Sequence, residues 1–284
     1  MGYFEGRKVF LTGGSKGIGR AAALQLVGQG ADVYIAARGR EALDDTLAAM
    51  RAAKVRDSQI LGTVTIDVTD QDSVDAATQE ALAGLGGLDT LICNSGYAHC
   101  ATVADAPFED FQRLLDVNYL GHVRVVRAML PTLTEQRHGD IALTSSLLGI
   151  FGSYGYAAYS ASKFAIVGFA ESLKQEMMFH DVRVSLFLPT TTDTPGLALE
   201  NADKPPITHA LEADSSFNKT YTADQAAQAL LKTIEKGRLP GFVGFDSKLI
   251  DWLKRHLPGV YWWALKGELN KAVKKVESGW KPAS

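Results

Sequence analysis

The chain has 284 residues, 46% hydrophobic and 21% charged, with a net charge of -3. That balance supplies a sizeable core and gives no global attraction to nucleic acid. Two cysteines, Cys93 and Cys100, exclude a disulfide framework, and six scattered histidines lack metal-ligand spacing, which leaves them exposed or capping roles.

The first residues, MGYFEGRKVFLTGG, contain no long apolar segment, so neither signal peptide nor membrane anchor is expected there. The expected location is cytoplasmic. Short apolar runs then alternate with helix-like stretches. Lys8–Gly13 precedes a helix starting near Ile18, Asp32–Arg38 precedes one starting near Glu41, and Ile60–Val68 precedes one starting near Asp70. Leu88–Asn94 is followed by a long helical region, about Phe108 to Gln136. Gly139–Ser146 is followed by a helix over Ala157–Phe179, and Val182–Pro189 comes next. A helix over Ala223–Lys236 precedes a short run at Phe242–Phe245. Runs this uniformly apolar suit strands covered on both faces, and the alternation predicts a doubly wound α/β fold with a Rossmann-like parallel sheet. Ligands of such folds lie beyond the carboxyl ends of the strands.

The first such end reads TGGSKGIG, Thr12–Gly19. Gly13, Gly17 and Gly19 allow a tight turn, close approach to a pyrophosphate and close helix packing, while the helix N-terminus offers free N–H groups to phosphate. Ser15, Lys16 and Ile18 complete the cofactor-binding loop. The second run ends in Arg38 rather than the carboxylate that an NAD ribose requires, with Arg40 close behind. A guanidinium binds a 2′-phosphate, and Lys16 adds charge, so the expected cofactor is NADP(H). Asp67, ending the third run beside Val68, is placed either to accept from an adenine amino group or, like Asp70, to cap the next helix.

Chemistry is carried by TSSLLGIFGSYGYAAYSASK, Thr144–Lys163. Tyr159 and Lys163 lie four apart on one predicted helical face. An ammonium nearby lowers a phenol's pKa and makes Tyr159 a better acid and base. Ser146, at a strand end, can hold a carbonyl by hydrogen bond. Beside a nicotinamide this set reduces a ketone. No Ser–His–Asp arrangement is apparent. Tyr154 and Tyr156 read as walls or packing, with Tyr154 the candidate to line the substrate pocket.

From Arg7 to about Phe245 the chain resembles the short-chain dehydrogenases/reductases. The resemblance rests on TGGSKGIG, Asp67, CNSG (Cys93–Gly96), Asn118, Ser146 and the Tyr159–Lys163 pair, in order and at family spacing. It implies a parallel sheet of about seven strands, catalytic roles for Asn118, Ser146, Tyr159 and Lys163, and a water held beside Lys163 with the help of Asn118. It implies that Lys163 holds the nicotinamide ribose. It selects Ser146 over Ser145 by the separation from Tyr159. It gives Asn94 and Gly96 cofactor contacts, and gives Pro189 and Thr194 the carboxamide clamp. Two positions depart from the family pattern: Cys93 stands where Asn is usual, and Thr190 where Gly is usual.

Within that family, the stretch after Tyr159 and LPTTTDTPGLALENADKPPIT look like the reductases of 3-ketodihydrosphingosine (3-ketosphinganine). Apolar Leu147, Leu148, Ile150 and Phe151 near Ser146 fit a lipid ketone. The leading expectation is an NADPH-dependent reductase of a long-chain keto-amino lipid. The alternatives are a reductase of 3-oxoacyl-carrier or steroid-like ketones and a non-catalytic NADP-sensing or scaffold protein. Residues 190–220 read as a substrate lid, with Leu197 and Leu199 facing a chain and Glu200 or Asn201 near an amine. All four tryptophans lie in the C-terminal extension, 246–284, where basic residues outnumber acids. Such a segment either lies in a bilayer interface or packs on protein. The resemblance makes a homo-oligomer an expectation.

Overall fold

A computed structural model describes residues 2–214 and 219–280. Its main sheet has seven parallel strands in the order β3-β2-β1-β4-β5-β6-β9. They are β1 (Lys8–Thr12), β2 (Asp32–Ala37), β3 (Leu61–Thr65), β4 (Thr90–Cys93), β5 (Gly139–Thr144), β6 (Val182–Leu188) and β9 (Gly241–Phe242). Every residue of β4 and β5 is buried, which explains why those runs lack polar alternation. Helices α1 (Gly17–Gly28), α2 (Arg40–Ala52) and α9 (Ala223–Glu235) cover one face. Helices α3 (Gln71–Leu85), α5 (Gly121–Gln136) and α6 (Ala157–Met177) cover the other. Successive strand residues go to opposite cores: Val9 and Leu11 pack with Leu26 and Leu230, while Phe10 packs with Val74 and Ile166.

Strand order reverses beside β1, between β1 and β4, and the crevice at this switch point is the ligand position of the fold. Before it on the same side, α4 (Phe108–Leu115) runs into α5 through one π-helical turn, Asp116–Leu120. After β6 the chain leaves the sheet. A two-residue strand, β7 (Thr192–Asp193), pairs with β8 (Tyr221–Thr222), and between them lie α7 (Pro195–Ala202) and α8 (Pro206–Asp214). Thr194 caps α7 by accepting from the Leu197 N–H at 3.3 Å, with Pro195 in the first helical position. The extension forms α10 (Phe245–His256) and α11 (Pro258–Glu277). The run at 242–245 is thus half strand and half helix start. Ile250 of α10 enters the main core. Ala272 of α11 is buried against Ala210 and Leu211 of α8, with Ile207, Val276 and Trp280 around them.

Candidate active site

A cavity of about 1120 Å³ opens at the carboxyl ends of the strands. One end is the glycine loop. Gly13 has φ +70°, and a Cβ there would lie 3.0 Å from the Asn94 carbonyl oxygen. A Cβ on Gly19 would lie 2.1 Å from the Gly13 carbonyl oxygen, so any side chain would push α1 away from the loop. The first turn of α1 carries no acidic residue and Lys16 makes no side-chain cap, leaving the helix N-terminus open to an anion. These close glycine contacts and the bare helix end fit a dinucleotide pyrophosphate.

Around this groove lie Gly13, Ser15, Lys16, Gly17, Ile18, Arg38, Asp67, Val68, Asn94, Gly96, Pro189 and Thr194. Of the expected cofactor residues only Gly19 does not line it, because it packs beneath Gly13. Arg40 is exposed and pairs with Asp44 of its own helix. Asp67 accepts from the backbone N–H of Thr69 at 2.9 Å and from its hydroxyl at 2.7 Å, bonds that hold its carboxyl below the usual carboxylate range. The cap of α3 is Asp70 instead, accepting from the Asp72 N–H. The Thr12 hydroxyl accepts from the N–H groups of Asn94 and Ser95 at 3.2 and 3.3 Å, tying the ends of β1 and β4 together. Cys93 is a fully buried core residue whose thiol is pushed up by burial.

Ser146, Tyr159 and Lys163 meet on the same cavity wall. The Ser146 hydroxyl oxygen accepts from the Leu148 N–H at 3.1 Å, and its side chain hydrogen-bonds Tyr159. The Lys163 ammonium lies 5.6 Å from the centroid of the Tyr159 ring and donates to the Thr144 carbonyl at 3.3 Å. Burial pushes the Tyr159 phenol up to about 12, against the opposing Ser146 bond, and pushes Lys163 down to about 7. The expected lowering of Tyr159 by Lys163 does not appear. Burial disfavours the ammonium and the phenolate alike.

Asn118 does not line the cavity. It sits fully buried on the π-helical turn, with its side-chain oxygen accepting from the Tyr97 N–H and its amide donating to the Tyr97 carbonyl and the Ser162 hydroxyl, each at 3.0 Å. It pins the strand-β4 exit that carries Gly96, where a Cβ would lie 2.9 Å from the Asn118 side-chain oxygen.

Three further expectations are corrected. Tyr156, not Tyr154, lines the cavity. Gly155 between them has φ +81°. Asn201 is outside the cavity, and its carbonyl faces the His209 ring. Glu200 does line it. His122 is buried rather than exposed. Its Nε2 lies 3.0 Å from the Ser95 carbonyl oxygen, and burial lowers it to about 3. The spacing of His122, four residues after Asn118 on one helical face, was the available signal.

Away from the glycine loop the lining is largely apolar, with Glu200, Asp203, Glu212 and Glu268 as its acidic residues. Leu147, Leu148 and Phe151 form one side, Leu197, Leu199 and Leu211 of the lid another, and Ile250, Leu253, Tyr261 and Leu265 of the extension the far wall. The extension's contribution had no signature in the sequence, since only tertiary packing brings α10 and α11 over the cavity.

The short chain dehydrogenase model matches residues 7–205. The chain belongs to the short-chain dehydrogenase family. It is an oxidoreductase dependent on a nicotinamide dinucleotide and acts on a small-molecule ketone or alcohol. It is 34% identical over 249 residues to the 3-ketodihydrosphingosine reductase of Bos taurus, covering 87% of this chain and 74% of that one. It is 37% identical over 246 residues to the 3-dehydrosphinganine reductase TSC10B of Arabidopsis thaliana, covering 84% and 71%. Among solved structures, that of gox2181 superposes with a TM-score of 0.75 at 25% identity, covering 85% of this chain and 96% of the other.

Proposed function

We propose that this chain is an NADPH-dependent reductase that converts the ketone of 3-ketodihydrosphingosine into the alcohol of dihydrosphingosine. The observation that carries this reading is the continuity of one cavity. It joins the phosphate-binding loop, the Ser146–Tyr159–Lys163 wall and a long apolar branch roofed by the lid and extension. The substrates named in the relatives, each covered over more than two thirds of its length, supply the matching chemistry: a polar reacting head on a long hydrocarbon chain. Arg38 on the groove at the end of β2 supports NADPH over NADH.

Bound NADPH supplies the hydride. Ser146 orients and polarises the carbonyl oxygen by hydrogen bond, and Tyr159 gives that oxygen its proton. Lys163 holds the nicotinamide ribose. The Lys163 ammonium, 5.6 Å from the Tyr159 ring centroid, favours the phenolate that forms as the proton leaves. Asn118 acts through Tyr97 and Ser162, keeping the β4 exit and the catalytic helix in register. In this reading residues 1–245 are the reductase domain with its lid over about 190–220, and the extension, 246–284, closes the substrate branch through α10 and α11; residues 215–218 and 281–284 lie outside the described residues.

Leu199 and Val260 are on the cavity lining and also exposed, and Phe245, Trp252, Leu257, Trp262 and Trp263 are exposed nearby in the chain. This rim supports peripheral contact with a membrane from which a lipid ketone enters. No helix among the described residues is long and apolar enough to cross a membrane. Exposed Leu115, Leu120 and Phe164 on the α4–α6 side support self-association. A substrate panel tests the function: NADPH oxidation is expected with 3-ketodihydrosphingosine and not with 3-oxoacyl thioesters or steroid ketones. The reverse pattern overturns the lipid assignment.

A further inference from the structure

Ser146 caps a short turn, Leu147–Gly149, and that turn is held from two sides. On the inner side the Ser145 hydroxyl donates to the Lys163 carbonyl and the Leu147 N–H donates to the Pro189 carbonyl, each at 2.8 Å. These bonds tie the start of the turn to the catalytic helix α6 and to the end of β6. Gly149 presses on the same helix, since a Cβ there would lie 2.9 Å from the Lys163 carbonyl oxygen. The turn ends at Ile150, whose N–H donates to the Leu147 carbonyl at 3.1 Å. From there to α6, which starts at Ala157, the chain forms no helix.

The extension supplies the outer side. The Lys254 ammonium of α10 donates to the Ile150 carbonyl oxygen and lies 5.2 Å from the ring centroid of Phe164, the residue after Lys163 on α6. The Tyr261 ring of α11 meets the Phe151 ring at 6.1 Å, edge to face. Lys254 shares the inward face of α10 with Ile250, which enters the main core, and Leu253, which lines the cavity. Exposed Trp252 lies on the opposite face. Lys254 itself is not on the cavity lining, so replacing it does not change what a substrate touches. An ammonium-to-carbonyl bond is roughly twice as strong as a neutral one, and the Phe164 ring adds its own attraction for the cation. One side chain thus joins the end of the Ser146 turn to the helix that carries Tyr159. Ser146 and Tyr159 must reach the same carbonyl oxygen, and a turn released at Ile150 lets the Ser146 hydroxyl drift from it.

We propose that Lys254 is a positioning residue for the reduction: from the extension it fixes the end of the Ser146 turn against α6 and so helps to set where the Ser146 hydroxyl stands relative to Tyr159. This rests on the ketone-reductase reading above and goes beyond it. The extension then contributes to the rate of the chemical step as well as to the wall of the substrate branch.

The test measures kcat and KM of the full chain with NADPH on 3-ketodihydrosphingosine and on a short water-soluble ketone that leaves the apolar branch empty. Lys254→Met keeps the stem and removes the ammonium. Its kcat should fall roughly 10- to 100-fold on both ketones, the scale set by a misplaced catalytic group, with little change in either KM. Lys254→Arg, which restores a charged donor, should recover most of that loss. Added to Ser146→Ala, Lys254→Met should cost little more, because the group it positions is already gone. An unchanged kcat in Lys254→Met overturns the proposal and leaves the reductase reading standing. So does a rise in KM confined to the long ketone, which would make Lys254 a support of the substrate wall only. Equal kcat losses with and without Ser146 also overturn it, since they mark a general loosening of the fold. No turnover of either ketone by the wild type overturns both readings. If Lys254→Met fails to fold, Lys254→Gln decides by the same comparison with and without Ser146.

Discussion

At the scale of single residues, burial governs the site's chemistry more than proximity of opposite charges does. Tyr159 and Lys163 sit on one helical face as their spacing requires, yet both are pushed toward neutrality. Arg38 is the residue on which the cofactor choice turns. Replacing it with Ala removes a guanidinium–phosphate contact, so the ratio of kcat/KM for NADPH over NADH should fall roughly 10- to 100-fold; an unchanged ratio contradicts the assignment. His122 makes a pH prediction. Its folded value, about 3, lies below the ordinary 6.5, so between those limits the unfolded chain binds the extra proton. Its contribution is therefore present above pH 6.5 and lost as pH falls. From about pH 6.5 to 4.5 the protein should lose roughly 2–3 kcal/mol through this group, and denaturant melts of His122→Gln should show a shallower acid slope. Equal slopes would mean that His122 is charged in the fold.

At the scale of elements, the sheet and its covering helices were legible because their signals are local. Apolar runs such as Gly139–Thr144 are buried throughout, and TGGSKGIG sits on a strand–helix turn. The lid was legible only as a long segment rich in threonine. That it folds as two helices, the first capped by Thr194, with Lys204 tied to Glu200 four residues before it and Glu212 eight after it, is not reported by hydrophobic periodicity. That Tyr156 rather than Tyr154 lines the cavity is set in the turn before α6, and periodicity does not report it. The contact between α8 and α11 is testable. Ala272→Asp places an unpaired charge against Ala210 and Leu211, which should loosen the roof of the apolar branch. KM for a long-chain ketone should rise several-fold more than KM for a short water-soluble ketone. Equal changes would separate the extension from substrate binding.

At the scale of the whole molecule, the tryptophan-rich extension does two things that the sequence presented as alternatives. It packs on the lid through Ala272, and it exposes Trp252, Trp262 and Trp263. Deleting it would strip a cavity wall and take Ile250 out of the main core, so point substitutions are the cleaner probe. The wild type should pellet with anionic phospholipid vesicles, and the triple variant Trp252→Ser, Trp262→Ser, Trp263→Ser should pellet much less. Equal pelleting would remove the membrane from the proposal. The reductase reading itself is tested most directly by incubating the purified chain with NADPH and 3-ketodihydrosphingosine and quantifying both products. Dihydrosphingosine should form in a one-to-one ratio with NADP⁺, and Tyr159→Phe should slow it by roughly 10²–10⁴-fold, the usual contribution of a positioned acid. Absence of dihydrosphingosine, or full activity in Tyr159→Phe, would contradict it.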